Sequence, residues 1–367
     1  MYATLEETPA LAAARRLAGE GDADAAPGAT ALHALVAQVC AEAGLWAPDA
    51  AERALGQAQG DPARAVALVR VWAASLPQIT ASVVAPDDVT ITRRLSAAYP
   101  EVPGGQWLGA APELASRLLA WPSEPDGSSR RPDAPAAGLD GEATAVNGTA
   151  TAPPTRATCP RVRDLITGVP ILPAPDDGDG ADPAGAALAA PLDRATRLGV
   201  MARGDTAGLV ALAALVLGRR REAILAEIVS GVVTVRIPHP RTGSPCAVAE
   251  VPVVEADAVV DADVEGRPGF AVGWGASLGT VERRAIAIGL LDGALQAERG
   301  APDAGIGLDA DTVLSAIDGS ATTGFVDHLR LPHYASFAAY LASAGSNANA
   351  NATVIGDDDH HDEDGRR

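Results

Sequence analysis

Gly273-Trp274-Gly275-Ala276-Ser277-Leu278-Gly279-Thr280-Val281-Glu282-Arg283-Arg284 holds a strand end, a glycine turn and a helix start in one run. Phe270–Leu278 reads as a strand leading through glycines into a helix that begins near Val281, with Ile286, Leu290 and Leu291 on its apolar side. A strand that turns into a helix start can present free backbone N–H groups to an anion. Thr280 is a candidate cap, and Arg283 and Arg284 add positive charge. Gly273, Gly275 and Gly279, with these two arginines, are therefore candidate phosphate contacts. The same glycines serve equally well to let a helix pack closely on a strand, and the spacing alone does not separate the two.

Upstream, Leu209–Leu217 is a buried-helix candidate. Val233, Val235 and Ile237 alternate with Thr234 and Arg236 as in a half-buried strand. Ala247–Val254 is a second strand that Pro252 demotes to an edge or marks with a bulge. Residues 191–344 thus form a mixed α/β region with the candidate site motifs. Residues 1–121 read as helical. Gly60-Asp61-Pro62 starts a helix, since Asp61 can cap the free N–H groups and Pro62 presets φ. Val66, Val69, Ala73 and Leu76 recur at helical spacing, widened by Leu68 and Trp72, until Pro77. Pro103-Gly104-Gly105 is expected to turn between helical segments Thr92–Tyr99 and Pro112–Trp121. Residues 122–190 read as linkers and insertions, largely flexible, because Pro122 to about Thr158 and Asp176–Ala190 carry almost no large apolar side chain. Residues 345–367 read as a disordered acidic tail. The expected fold is mixed α and β, with a mostly helical N-terminal region and a mixed α/β C-terminal region.

Composition narrows the function. The chain has 367 residues, 47% hydrophobic but only 3% aromatic, and 28 basic against 47 acidic residues give a net charge of −19. Such a field repels polyanions, so nucleic acid and anionic membranes are not expected partners. No lysine occurs, which excludes a Walker lysine, a Schiff base and a pyridoxal-phosphate anchor. Phosphate must be held by arginines or backbone N–H groups. The three cysteines, Cys40, Cys159 and Cys246, form neither a disulfide framework nor an iron–sulfur motif. There is no signal pattern and no bilayer-length apolar run, so a cytoplasmic protein is expected.

Three further groups carry chemistry. His328 and His333 lie five residues apart in Gly324-Phe325-Val326-Asp327-His328-Leu329-Arg330-Leu331-Pro332-His333-Tyr334. On a helix they would diverge by about 140°, but Pro332 argues for a loop that can bring both imidazoles to one cation. Two histidines leave a zinc-like site short of ligands, so a third would come from elsewhere; local hydrogen bonding is the alternative. Arg197, Arg203, Gly204 and Asp205 precede the apolar helix. Asp205 can cap it, and the arginines can hold phosphate or simply face solvent. Glu250 and Glu255 flank Pro252 at a spacing that puts them on opposite faces of a regular strand, so they pair only if Pro252 marks a bulge.

In combination these segments resemble the I subunit of the carbon–phosphorus lyase core complex. The matching blocks are Gln57-Ala58-Gln59-Gly60-Asp61, Arg93-Arg94-Leu95-Ser96-Ala97, Val102-Pro103-Gly104-Gly105-Gln106-Trp107-Leu108-Gly109 and Arg203-Gly204-Asp205. Glu250 with Glu255 follows, then the glycine–tryptophan segment into Leu291-Asp292-Gly293-Ala294-Leu295-Gln296-Ala297, and finally the histidine block. The opening residues and the arginine-rich Gly218–Glu222 depart from the family pattern.

The resemblance implies a subunit that, with its G, H and L partners, displaces adenine from ATP by methylphosphonate, and that acts as a purine nucleosidase when alone. It implies assembly with G, H and J subunits and an ABC-type ATPase subunit, with two copies per complex. It implies zinc shared between His328, His333 and a histidine of the J partner, and magnesium with the nucleotide. Glu250, Glu255 and Asp205 are then candidate carboxylates for the charge developing at the ribose C1′, and Arg203, Arg283 and Arg284 candidate anion holders. A mainly scaffolding subunit, or a stand-alone metal-dependent hydrolase, are the alternatives.

Overall fold

The structure, a computed structural model, describes residues 33–77, 89–99, 101–108, 144–145, 154–173, 192–300, 314, 317–319, 339 and 341–345. Three helices open it: α1 (His33–Ala43), α2 (Pro48–Gln57) and α3 (Pro62–Ala74). The expected start of α3 holds, with Asp61 Oδ1 accepting from the N–H groups of Ala63 and Arg64. Val66 and Val69 enter a small core with Val39, Cys40 and Leu55, whereas Leu68, Trp72 and Leu76 are exposed. The broadened stripe is therefore only partly buried.

The sheet is antiparallel, in the order β3-β2-β1-β4-β5-β6. Its strands are β1 (Val89–Ser96), β2 (Trp107–Leu108), β3 (Thr144–Ala145), β4 (Ala223–Pro238), β5 (Pro245–Val264) and β6 (Arg267–Leu278). β1 corrects the helical reading of Thr92–Tyr99, and the Pro103-Gly104-Gly105 turn joins two strands. Gly104 and Gly105 both have positive φ there, at 86° and 80°. Pro252 lies at a local edge and not at a bulge. It sits in central β5 just past the end of β6 pairing, where its carbonyl accepts from Gly279 N.

Helices α4 (Arg194–Arg203) and α5 (Thr206–Arg219) precede β4, and α6 (Glu282–Gly300) follows β6. Only one side of α5 is buried, through Leu209, Ala213 and Val216; Val210, Leu215 and Leu217 are exposed. α6 lies on β5 and β6, where Ala287, Ile288 and Leu291 join Ala258, Val260 and Ala271 in the main core. The opposite sheet face is crossed by residues 154–173. This strap bridges Thr155 to Thr90 of β1 and Ile171 to Phe270 of β6, so it spans the sheet from one side to the other. Part of the stretch expected to be linker is thus an ordered layer with two short 3-10 turns, Arg156–Thr158 and Val162–Leu165.

Contacts divide the chain into two units, Met1–Ser320 and Ala321–Arg367. Of the second, residues 341–345 are helical. The expected helix Pro112–Trp121, the Asp176–Ala190 linker, His328, His333 and the tail beyond 345 lie outside the described residues.

Candidate functional site

Alternation along β5 sends Val254, Ala256 and Ala258 toward α6 and Glu255 and Asp257 toward the strap. Two bulges add charges to that second face. Ala226 is an extra residue in β4 between Leu225, opposite Ala258, and Glu227, opposite Asp257. It turns Glu227 onto the strap face, away from the side Leu225 occupies. A register shift between Ile91 and Arg93 in β1 likewise brings Arg94 to the same face as Ile91.

The strap answers these carboxylates with arginines. Arg161 lies within 3.1 Å of Glu227 and Glu255 and 3.0 Å of Asp257. Arg94 Nε donates to Glu227 Oε1 at 2.6 Å, and its other nitrogens donate to the carbonyls of Pro103 and Pro160. Arg156 Nη1 donates to Glu255 Oε1 at 2.8 Å, and Arg163 pairs with Asp257 at 3.5 Å. Burying ions costs several kcal/mol each unless partners return it, so the strap and these strand positions depend on one another. Burial pushes the Asp257 carboxyl above its ordinary range, with Arg161 and Arg163 pulling the other way. For Arg161, burial opposes the charge, but Asp257, Glu227 and Glu255 together outweigh it and raise the pKa.

Beside this layer opens a cavity of about 470 Å³, within the roughly 300–1,000 Å³ range of small-molecule sites. Val89, Val233, Val253 and Leu278 give it apolar walls, while Glu255, Arg156, Arg203 and Trp274 supply the functional groups. Arg203 is exposed and Glu255 is buried at 7% exposure. The structure thus brings together Arg203 and Glu255 from the residues proposed on sequence grounds.

The others fall elsewhere. Glu250 is exposed on the β4–β5 hairpin, opposite Thr234. The register is regular from Ala249 to Asp257, the nearby bulge falling at Val248, so Glu250 and Glu255 lie on opposite faces and form no pair. Asp205 caps α5, its Oδ1 accepting from Gly208 N at 2.6 Å. For Gly273 and Gly275 the close-packing reading holds. A Cβ there would stand 2.0 Å from Gly289 O and 2.1 Å from Ala285 O, so α6 fills the space an anion would need. Gly279, at φ 79°, abuts Ala37 and Trp46. Arg283 is exposed, with Nη2 near Gln38 Oε1 at 3.4 Å. Arg284 is fully buried and ends α4, donating to the carbonyls of Gly204 and Ala202 at 2.7 Å. Burial pushes it down to about 10, with Glu42 and Asp205 offsetting part of that. The first two glycines and Arg284 therefore build the fold and do not face the cavity.

Residues 5–349 match the family described as bacterial phosphonate metabolism protein (PhnI). The chain belongs to the PhnI family. It is 32% identical over 319 residues to the alpha-D-ribose 1-methylphosphonate 5-triphosphate synthase subunit PhnI of Escherichia coli (strain K12), covering 84% of this chain and 85% of that protein. A subunit of the same name from Rhizobium meliloti (strain 1021) is 30% identical over 321 residues, covering 83% and 81%. HtxH of Stutzerimonas stutzeri is 31% identical over 318 residues, covering 83% and 82%.

The blocks that carried the PhnI resemblance occupy defined places. Arg94 belongs to the ionic layer, and Asp292 and Gln296 stand on α6 behind Trp274. Asp292 Oδ2 accepts from the Trp274 backbone N–H at 2.9 Å, from Arg194 at 2.8 Å and from Gln296 Nε2 at 3.0 Å. Sequence reasoning missed Arg156, Arg161, Glu227, Asp257 and Trp274 as site residues. The signal for Trp274 was present, a large aromatic between two glycines in a strand. For the strap arginines the only signal was three basic residues in a stretch otherwise taken as linker. Among the described residues, no helix is long and apolar enough to cross a membrane, and no cluster of three potential metal ligands occurs.

Proposed function

We propose that this PhnI family member is the nucleotide-binding subunit of an α-D-ribose 1-methylphosphonate 5-triphosphate synthase and that the cavity holds the purine nucleotide. The observation that carries this is the meeting of Glu255 with Arg156 and Arg203 in one cavity with apolar walls. The names of the two synthase subunits at 30–32% identity support the reaction class.

A phosphonate oxygen attacks the ribose C1′ of ATP as the C1′–N9 bond breaks. The bonding pair leaves on adenine, which takes up a proton from water. Positive charge grows at C1′, where a carboxylate fixed from both sides by Arg156 and Arg161 can stabilise it. Arg203 supplies charge for phosphate, with magnesium accompanying the nucleotide. Without the G, H and L partners, water takes the place of the phosphonate and the reaction is nucleoside hydrolysis. An ABC-type ATPase subunit and a second copy of the chain complete the proposed assembly, with zinc at His328 and His333.

Glu255→Gln should lower adenine release from ATP by about 10²-fold with an unchanged circular dichroism spectrum. Wild-type turnover in that variant removes Glu255 from the reaction.

A further inference from the structure

We infer that Gly44 is a positioning residue for phosphate recognition: by carrying no side chain, it lets Arg203 lie across the end of α1 as it reaches the cavity. The inference rests on the nucleotide reading above and adds to it the residue that fixes where the phosphate-binding arginine sits.

Gly44 and Arg203 both line the cavity. Gly44 ends α1 with φ at 74°; its N–H donates to Ala41 O, and the next N–H, of Leu45, donates to Cys40 O. That left-handed turn is reason enough for a glycine. Arg203 makes a second, separate demand. A Cβ on Gly44 would stand 3.2 Å from Arg203 Cδ and 3.6 Å from its Cγ. The arginine stem thus runs through the space beside the missing side chain.

The two backbones are tied to each other. Arg70 Nη2 donates to Glu42 O at 2.6 Å and to Arg203 O at 3.1 Å, which joins the end of α1 to the end of α4. Arg284 donates to the flanking carbonyls of Ala202 and Gly204, each at 2.7 Å. With both chain ends pinned, a methyl at position 44 is relieved most easily by moving the Arg203 side chain. Arg203 is also the cavity arginine that stays available. Arg156 is taken up by Glu255 at 2.8 Å, whereas the Arg203 side chain enters no ion pair or hydrogen bond among the described residues. A guanidinium with its donors open binds phosphate through charge-assisted, two-pronged bonds. Holding its stem in place beforehand lowers the ordering cost of that contact.

The test is equilibrium binding of ATP and of adenosine to the full chain. Arg203→Ala should weaken ATP about tenfold or more, the effect of losing one charge-assisted hydrogen bond, and leave adenosine unchanged. Gly44→Ala should weaken ATP in the same selective way, and in the Arg203→Ala background it should cause no further loss. Gly44→Asn tolerates the left-handed turn yet still adds a side chain, so it should show the same selective loss with a smaller fall in the unfolding midpoint. A glycine that serves only the turn predicts lower stability with the wild-type ratio of ATP to adenosine affinity. That outcome overturns the inference, as does a full further loss of ATP binding when Gly44→Ala is added to Arg203→Ala. Normal ATP binding by Arg203→Ala overturns it too, and removes Arg203 from the phosphate role as well. Weak ATP binding by Arg203→Ala with normal binding by both Gly44 variants overturns this inference alone. The Glu255 reading is judged by turnover and stands or falls separately.

Discussion

Arg161 touches three carboxylates from three positions, Glu227, Glu255 and Asp257, while exposing almost nothing to solvent. Removing it would leave those charges buried with too few partners. Arg161→Met, which preserves much of the volume, should therefore cost about 3–5 kcal/mol, read as a fall in the urea midpoint. A loss below about 1 kcal/mol would place the pair with ordinary exposed salt bridges and undo the account of the ionic layer. The individual residues of this layer were poorly legible in the sequence. Glu227 and Arg94 owe their direction to bulges at Ala226 and near Thr92, and a strand read by strict alternation sends them to the wrong face. Glu255 was legible as a carboxylate of interest, but its arginines come from a stretch 94 and 99 residues away in the chain. No local pattern carries that information.

The contact between β6 and α6 shows how an element pair can be read correctly in outline and in more than one way in purpose. Strand, glycine turn and helix were all expected near their observed bounds, since β6 ends at Leu278 and α6 begins at Glu282. What the pattern could not decide is whether the glycines face a ligand or a neighbour. Gly289 and Gly293 on α6 decide it, because their backbones meet Gly275 and Gly273 directly. Gly275→Ala would set a methyl 2.1 Å from Ala285 O and 2.4 Å from Gly289 N, both immovable backbone atoms. The helix must shift off the strand, and overpacking of this kind typically costs about 1–3 kcal/mol. Thermal unfolding of Gly275→Ala should show that loss, with Gly218→Ala, where nothing lies within 4 Å, unaffected or slightly stabilised. Equal melting of the two variants would mean that the helix does not rest on the strand at these glycines. β1 was misread as helix for a related reason. Two adjacent arginines and a bulge hide its alternation, and only pairing with β4 makes it a strand.

Across the molecule, the fold joins a helical opening to a long antiparallel sheet, so the expected mixture of α and β holds while its clean division along the chain does not. The acidity is spread widely, and the arginines of the strap layer are answered by Glu227, Glu255 and Asp257. A net charge of −19 disfavours a polyanion on the surface. The partner-facing chemistry proposed for this chain rests on His328 and His333, which lie outside the described residues and are proposed as zinc ligands from the PhnI resemblance. Zinc in a closed structural site takes four ligands, commonly His and Cys. Two histidines on one chain thus make an incomplete site that a partner's histidine would help to close. Each added ligand lowers the chance that the ion leaves, so the isolated chain should bind zinc weakly and the assembled complex should retain it through dialysis. Elemental analysis of the purified complex checks this directly. The His328→Ala, His333→Ala double variant should lose the metal while keeping adenine release, because Glu255 and Arg203 are untouched. Wild-type zinc content in that variant would sink the assignment of both histidines.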